Sequence, residues 1–292
     1  LKVGDVWVLS GIQNFYDGEE LQLLPDDFNA AALARLTDDE AGEVAEQLAE
    51  EMGGVVELED VREMALEDRP AGSVADAAFS YLAECAKTLK PETVEAHALA
   101  VSLLVHFCRL RDIAALDDFD EDELFRFVTV GYPAETPDRT KGGARQLLAS
   151  VGRFTAWLDK HRGTALNAPF KERILPAVRD DLPRVVKASG EIDATFIVFA
   201  ISQLLGVVTD DEGGEPDTVE GIFRIATIAG SEVTLTGHGH GAPEGAAFRV
   251  EFPGAAMQHL RTGDYVLCSV LDVGTRAILD AVEAVFPPAA PL

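Results

Sequence analysis

The chain has 292 residues, of which 51 are acidic and 24 are basic, so its formal net charge is -27. This balance excludes a chain that is basic throughout, as many nucleic-acid binders are, and 47% hydrophobic residues argue against a disordered polypeptide. The longest apolar stretch, residues 196–208, contains Ser202 and Gln203 and is shorter than the roughly 18 residues that a transmembrane helix requires. We therefore expect no membrane span and a cytoplasmic protein. Three cysteines without CxxC spacing agree with a reducing compartment.

The charges divide the chain into three segments. Residues 1–74 hold 4 basic and 19 acidic residues, residues 75–190 hold 16 and 17, and residues 191–292 hold 4 and 15. We predict a multidomain α+β protein with an acidic α+β segment over residues 1–74 and a helical bundle over residues 75–189. A helix or strand followed by a small β-barrel is predicted over residues 190–292.

The acidic first segment contains one predicted strand and one predicted helix. Residues 2–9 are rich in β-branched and aromatic side chains and predict a strand. The sequence Thr-Asp-Asp-Glu at residues 37–40 is a capping box, and apolar residues then recur at helical spacing up to Met52. The acidic side chains on the other face of this helix predict a solvated surface rather than a metal site.

The middle segment has an almost continuous helical pattern. Pro91 marks the start of a helix, and residues 93–110 are apolar on nearly every side, which predicts a buried central helix. Asp120 and Glu123 are predicted to cap a third helix that Gly-Tyr-Pro at residues 131–133 ends, and Thr136 and Pro137 are predicted to open a fourth. Pro176, Pro183 and Gly190 are predicted to mark the exit from the bundle. Residues 192–205 fit either a buried helix or a strand, and we favour a helix.

The last 75 residues have an all-β pattern. Five short β-prone runs are separated by turns, most of which contain glycine; they cover residues 221–225, 232–236, 248–252, 265–271 and 276 onward. A short helix is predicted over residues 255–260 and a turn over residues 261–264. Five strands at this spacing resemble small β-barrels, OB and SH3-like modules among them, although no residues single out one of these.

The most conspicuous local motif is Gly-His-Gly-His-Gly at residues 237–241. His238 and His240 could ligate a transition metal, but a catalytic zinc normally has three protein ligands and no third is indicated nearby. We therefore predict a glycine-rich hairpin loop without metal, and we keep a metal-dependent enzyme that uses this loop as a distant alternative. The sequence has no GxSxG, Walker or nucleotide-binding glycine motif, so we predict neither an enzyme nor a cofactor.

A family resemblance is carried by residues 77 to about 170. Ala-Ala-Phe-Ser-Tyr-Leu at residues 77–82, Leu-Lys-Pro-Glu-Thr-Val at 89–94 and the apolar helix ending in Phe-Cys-Arg-Leu at 107–110 resemble the core-binding domain of tyrosine recombinases and phage integrases. The short acidic helix from Asp120, the helix around Trp157 and Asn-Ala-Pro at 167–169 continue the likeness. The resemblance implies a four-helix, SAM-like bundle that clasps DNA.

The catalytic domain of that family is not matched by this chain. The letters of its HxxR box occur at His106 to Arg109, but inside the apolar helix, ahead of where a catalytic domain could begin. Tyr265 lies in a predicted strand without such a box before it. We therefore expect no recombinase activity.

Basic residues concentrate between residues 139 and 187. That stretch holds 11 basic and 4 acidic residues inside a strongly acidic chain. Arg145, Arg153 and Lys160 fall on the face of the fourth helix opposite its apolar stripe, and Arg139 and Lys141 lie just before them. The sharper interpretation is a non-enzymatic protein that contacts duplex DNA through these five residues. The alternative is that the basic face only solubilises the bundle or pairs with the acidic segment, and that the protein is a protein–protein interaction or scaffold protein. The sequence leaves the oligomeric state open.

Overall fold

A computed structural model describes residues 71–205, 217–239, 241–272 and 277–292, and the backbone of four short strands before residue 23. The described chain is of mixed α+β class, with a helical middle part followed by an antiparallel five-stranded sheet. It packs as two compact units: the first comprises residues 1–124 and 147–172, and the second comprises residues 125–146 and 173–292. The predicted α+β class is confirmed at this level. The predicted boundaries at residues 74 and 189 stay a prediction.

The four short strands form two antiparallel pairs. Strand β1 (Lys2–Val3) pairs with β2 (Val6–Trp7), and β3 (Gln13–Tyr16) pairs with β4 (Glu19–Gln22). The single strand predicted over residues 2–9 is therefore wrong. Gly-Asp, the dipeptide between β1 and β2, is a combination that favours two-residue hairpin connections over a continuous strand. The helix predicted after the capping box at residues 37–40 lies outside the described residues.

Two long helices build the start of the first unit. Helix α1 (Val74–Thr88) begins where the Ser73 hydroxyl accepts a hydrogen bond from the Asp76 N–H at 3.0 Å. Helix α2 (Pro91–Leu110) begins at Pro91, whose fixed φ and missing N–H suit the first helical position. Leu104 and Cys108 of α2 are each only 1% exposed, which confirms the predicted buried central helix.

Helix α2 also has the length and composition of a membrane span. Its window Thr93–Leu110 has a mean hydropathy of 1.3, and 61% of that window is buried inside the protein. Core helices of water-soluble proteins share these properties, because a helix that is apolar all round packs against protein on most sides. The cytoplasmic location stays a prediction.

The third helix begins as predicted and ends later. A 3₁₀ turn (Leu116–Asp118) precedes α3 (Glu121–Arg126), and one carboxylate oxygen of Asp120 accepts the N–H groups of Asp122 and Glu123, each at 2.9 Å. The predicted stop at Gly131 is wrong, because a wider π turn (Phe127–Gly131) carries the helical path into Tyr132–Glu135.

The fourth helix, α4 (Lys141–Arg162), begins later than the predicted opening at Thr136 and Pro137. The hydroxyl of Thr140 accepts the N–H of Gly143 at 3.0 Å and thereby caps the first turn. Short helical turns follow; their bounds are Asn167–Pro169, Phe170–Ile174 and Leu175–Val178.

Helix α5 (Asp181–Leu205) is continuous through Pro183 and Gly190. The two residues were predicted to mark the exit from the bundle, but neither of them interrupts the helix. Pro183 is tolerated because it lies in the first turn, where backbone N–H groups have no helical partner. The helix favoured over residues 192–205 is confirmed.

The five predicted β-prone runs are all strands, and the prediction of an all-β last part is confirmed. Their bounds are β5 (Asp217–Ala229), β6 (Glu232–Gly237), β7 (Ala247–Glu251), β8 (Tyr265–Asp272) and β9 (Ala277–Phe286). The sheet order is β7-β6-β5-β8-β9, with every neighbouring pair antiparallel. The edge strands β7 and β9 also contact each other, so the sheet is curled. A short helix, α6 (Gly254–Met257), lies between β7 and β8, close to its predicted position.

Candidate anion-binding site

The site is built around a buried arginine of the second unit. Arg184 lies in the second turn of α5, and its side chain is 7% exposed. Its two terminal nitrogens donate to the two carboxylate oxygens of Asp264 at 2.6 and 2.7 Å. Asp264 lies directly before β8, and its side chain is fully buried. This bidentate pair attaches the start of α5 to the loop that leads into β8.

All five N–H donors of Arg184 have acceptors within the protein. In addition to Asp264, the guanidinium donates to the backbone carbonyl of His259 at 2.6 Å. It also donates to a carboxylate oxygen of Asp181, from Nε at 3.1 Å and from Nη2 at 2.9 Å. Because a guanidinium has five donors, Arg184 has none left for a ligand and forms a fixed part of the site.

The loop from residue 259 to residue 264 is fixed by the same carboxylate and by β5. The Arg261 N–H donates to Asp264 at 2.7 Å. Backbone hydrogen bonds join Ile225 of β5 to Gly263 and to Asp264, both at 2.8 Å. The turn predicted over residues 261–264 is confirmed, and it holds the Arg261 side chain, which is 64% exposed, beside Asp181 at 3.2 Å.

Burial and the neighbouring charges shift the pKa values of Arg184 and Asp264 in opposite directions. Burial alone would lower the pKa of Arg184, but the hydrogen bonds and charges of Asp264 and Asp181 outweigh it, so the pKa is raised and the guanidinium stays charged. Burial raises the pKa of Asp264, and the hydrogen bonds from Arg184 oppose that rise. The buried charges are therefore matched to each other, as a buried ion pair requires.

Next to this pair lies an open cavity of about 260 Å³. Five of its lining side chains are cationic: Lys141, Arg145, Arg179, Arg184 and Arg261. The remaining lining residues are Asp180, Pro183, Gln258 and His259. Lys141 and Arg145 come from the first turns of α4, Arg179 directly follows the helical turn Leu175–Val178, Arg184 comes from the start of α5, and Arg261 from the loop before β8. We call this cavity the basic cavity.

The histidine of the basic cavity is electrically neutral at physiological pH. Burial lowers the pKa of His259, and the positive charges of Lys141, Lys187 and Arg184 lower it further against the opposing effect of Glu191. The imidazole therefore offers one donor and one acceptor and adds no positive charge.

The structure brings two of the five predicted DNA-contacting residues together. Lys141 and Arg145 both line the basic cavity. Arg139 is half-buried and pairs with Asp193 at 2.8 Å. In the first unit, Arg153 lies with a guanidinium nitrogen 3.3 Å from Nε2 of His97, and Lys160 is exposed on α4.

Five members of the site were not singled out from the sequence: Arg179, Arg184, Asp264, His259 and Arg261. The basic run contains Arg184, and the predicted turn contains Arg261 and Asp264, but no local pattern joins two groups that are 80 residues apart. The single available signal was a run of basic residues in an acidic chain.

The glycine-histidine motif lies in the connection between β6 and β7, as a hairpin loop would. The N–H of His238 donates to Ile222 of β5 at 2.9 Å, and its ring lies 4.8 Å from the Tyr265 ring. Gly241 has a φ of 96°, and a Cβ there would lie 2.5 Å from the Glu220 carbonyl oxygen, which explains the glycine. His240 lies outside the described residues. Among the described residues, no group of three or more His, Cys, Asp or Glu side chains is placed to hold a metal ion.

Comparison with known proteins gives no match to a family model, to a curated protein or to a solved structure.

Proposed function

We propose that this protein is a non-enzymatic nucleic-acid-binding protein that holds phosphate groups of DNA in the basic cavity. The observation that carries the proposal is the charge of this cavity: five cationic side chains and one carboxylate line it, and two of the cations have no carboxylate partner among the described residues, in a chain whose net charge is -27. Such a concentration of positive charge opposes the overall charge of the chain, so it attracts anions locally where the protein as a whole repels them.

Lys141 and Arg145 are the residues best suited to contact phosphate. Both side chains are exposed, and among the described residues neither has a carboxylate partner. Lysine and arginine bind phosphate through charge-assisted hydrogen bonds, and arginine can do so with two parallel bonds. Arg184, whose donors are all engaged within the protein, forms a fixed wall behind them.

We also interpret the architecture around the cavity as that of a nucleic-acid-binding protein. We interpret the helical segment as a SAM-like four-helix bundle similar to the DNA-clasping domain of integrases, and the curled sheet as a small barrel of the OB or SH3-like kind. OB-type barrels bind oligonucleotides on a strand face and in adjacent loops. The strand faces here are acidic on balance, so we place the phosphate contacts at the basic cavity.

The test is a DNA-binding titration with the full chain. We expect the unmodified protein to retard labelled duplex DNA at about 50 mM salt, with affinity that falls steeply as salt is added. Replacement of Lys141 and Arg145 by glutamine should weaken binding and lower the slope of log K against log salt by about 1.8, because each phosphate contact contributes roughly 0.9. A double charge reversal to glutamate at the same positions should abolish the shift.

The matched control is the pair Arg153→Gln with Lys160→Gln, which removes two exposed positive charges from the same helix but from the first unit. We expect this control to change affinity less than the cavity variant does. Absence of any retardation at about 50 mM salt would contradict nucleic-acid binding and favour the protein–protein interaction alternative. An equal loss in both double variants would contradict the assignment to the basic cavity.

A further inference from the structure

The basic cavity has more positive charges than carboxylates to balance them. The carboxylates of Asp181 and Asp264 balance Arg184 and Arg261, with which they form ion pairs. A carboxylate oxygen of Asp180 lies 3.7 Å from Nε of Arg179, so these two charges also balance each other. The two cations that remain without a carboxylate among the described residues are Lys141 and Arg145. The neutral His259 does not alter this balance, so the cavity has two positive charges to offer a ligand.

A phosphomonoester matches this excess better than an internal phosphodiester does. A phosphomonoester carries a charge of about -1.5 to -2 at neutral pH and has three terminal oxygens, each a strong acceptor. A phosphodiester within a nucleic-acid strand carries a single charge and has two such oxygens. Two uncompensated cations therefore match the charge of a phosphomonoester. With an internal phosphodiester, one of the two positive charges would remain without a partner.

The volume of the basic cavity is large enough for such a group. A volume of about 260 Å³ corresponds to roughly nine water molecules at the volume that each occupies in the liquid. This space accommodates a phosphate together with the sugar that carries it.

One part of the cavity wall is held in place before any ligand binds. Arg184 has all five donors engaged, and Asp264 fixes both Arg184 and the Arg261 backbone. A fixed Arg184 lowers the cost of ordering on binding, because this side chain does not have to be immobilised when a ligand enters.

We propose that the basic cavity binds a phosphomonoester group, with the terminal phosphate of a nucleic-acid strand as its source. The proposal rests on the proposed function for that source. The chemistry of recognition is the same for a small phosphorylated sugar, so the experiment separates the two sources.

The experiment compares two single-stranded oligonucleotides of one sequence, labelled at the 3′ end, that bear a 5′ phosphate or a 5′ hydroxyl. Fluorescence anisotropy with the full chain should show roughly tenfold tighter binding of the phosphorylated strand, the gain expected from one additional charge-assisted contact. Ribose 5-phosphate should compete with it, and ribose should not. Lys141→Gln with Arg145→Gln should remove the difference between the strands, while Arg153→Gln with Lys160→Gln should keep it.

The outcomes distinguish this inference from the proposed function. Equal binding of both strands, without competition by ribose 5-phosphate, would overturn the phosphomonoester site and leave nucleic-acid binding intact. Calorimetric binding of ribose 5-phosphate that the cavity variant abolishes, with no binding of either strand, would support the site and overturn the nucleic-acid function. If neither strand nor ribose 5-phosphate binds, both proposals fail.

Discussion

The two units use arginine in opposite ways. In the first unit, Arg111 pairs with Glu123 at 2.7 Å and Arg162 pairs with Asp76 at 3.0 Å, and all four side chains remain partly exposed. In the second unit, Arg184 and Asp264 pair at the same kind of distance, with side chains 7% and 0% exposed. Water screens the first kind of pair and not the second. Arginine–carboxylate pairs of similar distance therefore lie at the surface of the first unit, whereas in the second unit such a pair is buried and fixes the site.

The strongest way to break this comparison is to remove one partner of the buried pair. Asp264→Ala leaves the Arg184 charge buried beside Asp181 alone, and we expect the free energy of unfolding to fall by about 3–5 kcal/mol. Urea unfolding followed by circular dichroism would measure the loss, and hydrogen exchange would place it in the second unit. The control Glu123→Ala removes the partner of Arg111 and should cost about 1 kcal/mol or less. Equal losses in the two variants would contradict the contrast between the units.

A second contrast concerns one glycine within a long helix of each unit. A Cβ on Gly190 of α5 would lie 2.5 Å from the backbone oxygen of Arg139, whereas a Cβ on Gly152 of α4 would lie 2.9 Å from the edge of the Phe170 ring. Gly190→Ala should lower the free energy of unfolding by roughly 1–3 kcal/mol, because a backbone carbonyl must move. Gly152→Ala should cost less, because a ring can shift and alanine favours a helix by about 1 kcal/mol over glycine. Urea midpoints measured for both variants check this order, and the reverse order would refute it.

The smallest expected effect concerns pH and the buried His97 of the first unit. Burial lowers the pKa of His97, and the positive charge of Arg153 lowers it further. The folded protein therefore favours the neutral ring, so this contribution to stability is complete above the unfolded pKa of about 6.5 and is lost as the pH falls through the lower folded pKa. Melting temperatures between pH 7.5 and pH 5 should decrease less steeply in His97→Phe than in the unmodified protein.

Arg153→Gln provides an internal check on this prediction. It removes the smaller cause of the shift and keeps the burial of His97, so the slope should lie between those of the unmodified protein and His97→Phe. An unchanged slope in His97→Phe would show that the ring does not titrate between pH 5 and pH 7.5.

Local sequence was enough to predict the element types and several of their starts. Asp120 accepts the backbone N–H groups of Asp122 and Glu123 and so determines where α3 begins. Pro91 has no N–H and a fixed φ, which suit the first position of α2. Alternating β-prone runs between glycine-containing turns likewise predicted all five strands of the sheet. These signals act over a few residues, so they can be identified without knowledge of the rest of the fold.

Breaks in the local pattern were less informative, because packing overrode them. Gly190 was predicted to mark an exit from the bundle, yet α5 passes through it, since the absent side chain lets the Arg139 backbone approach closely. Gly131 was predicted to end a helix, and a π turn continues the helical path there. A glycine that permits a close contact and a glycine that ends a helix look the same in a sequence.

The sequence by itself determined the α+β class, the buried helix α2, the five strands β5 to β9 and the stretch of positive charge that contains Lys141 and Arg145. Only the tertiary structure decided which charges meet. Arg184 and Asp264 are 80 residues apart, and they pair because α5 and the loop before β8 pack together. The same packing leaves Lys141 and Arg145 uncompensated at an open cavity, whereas Arg139 is balanced by Asp193. Electrostatic balance depends on distances of a few ångströms in space, which spacing along the chain does not encode.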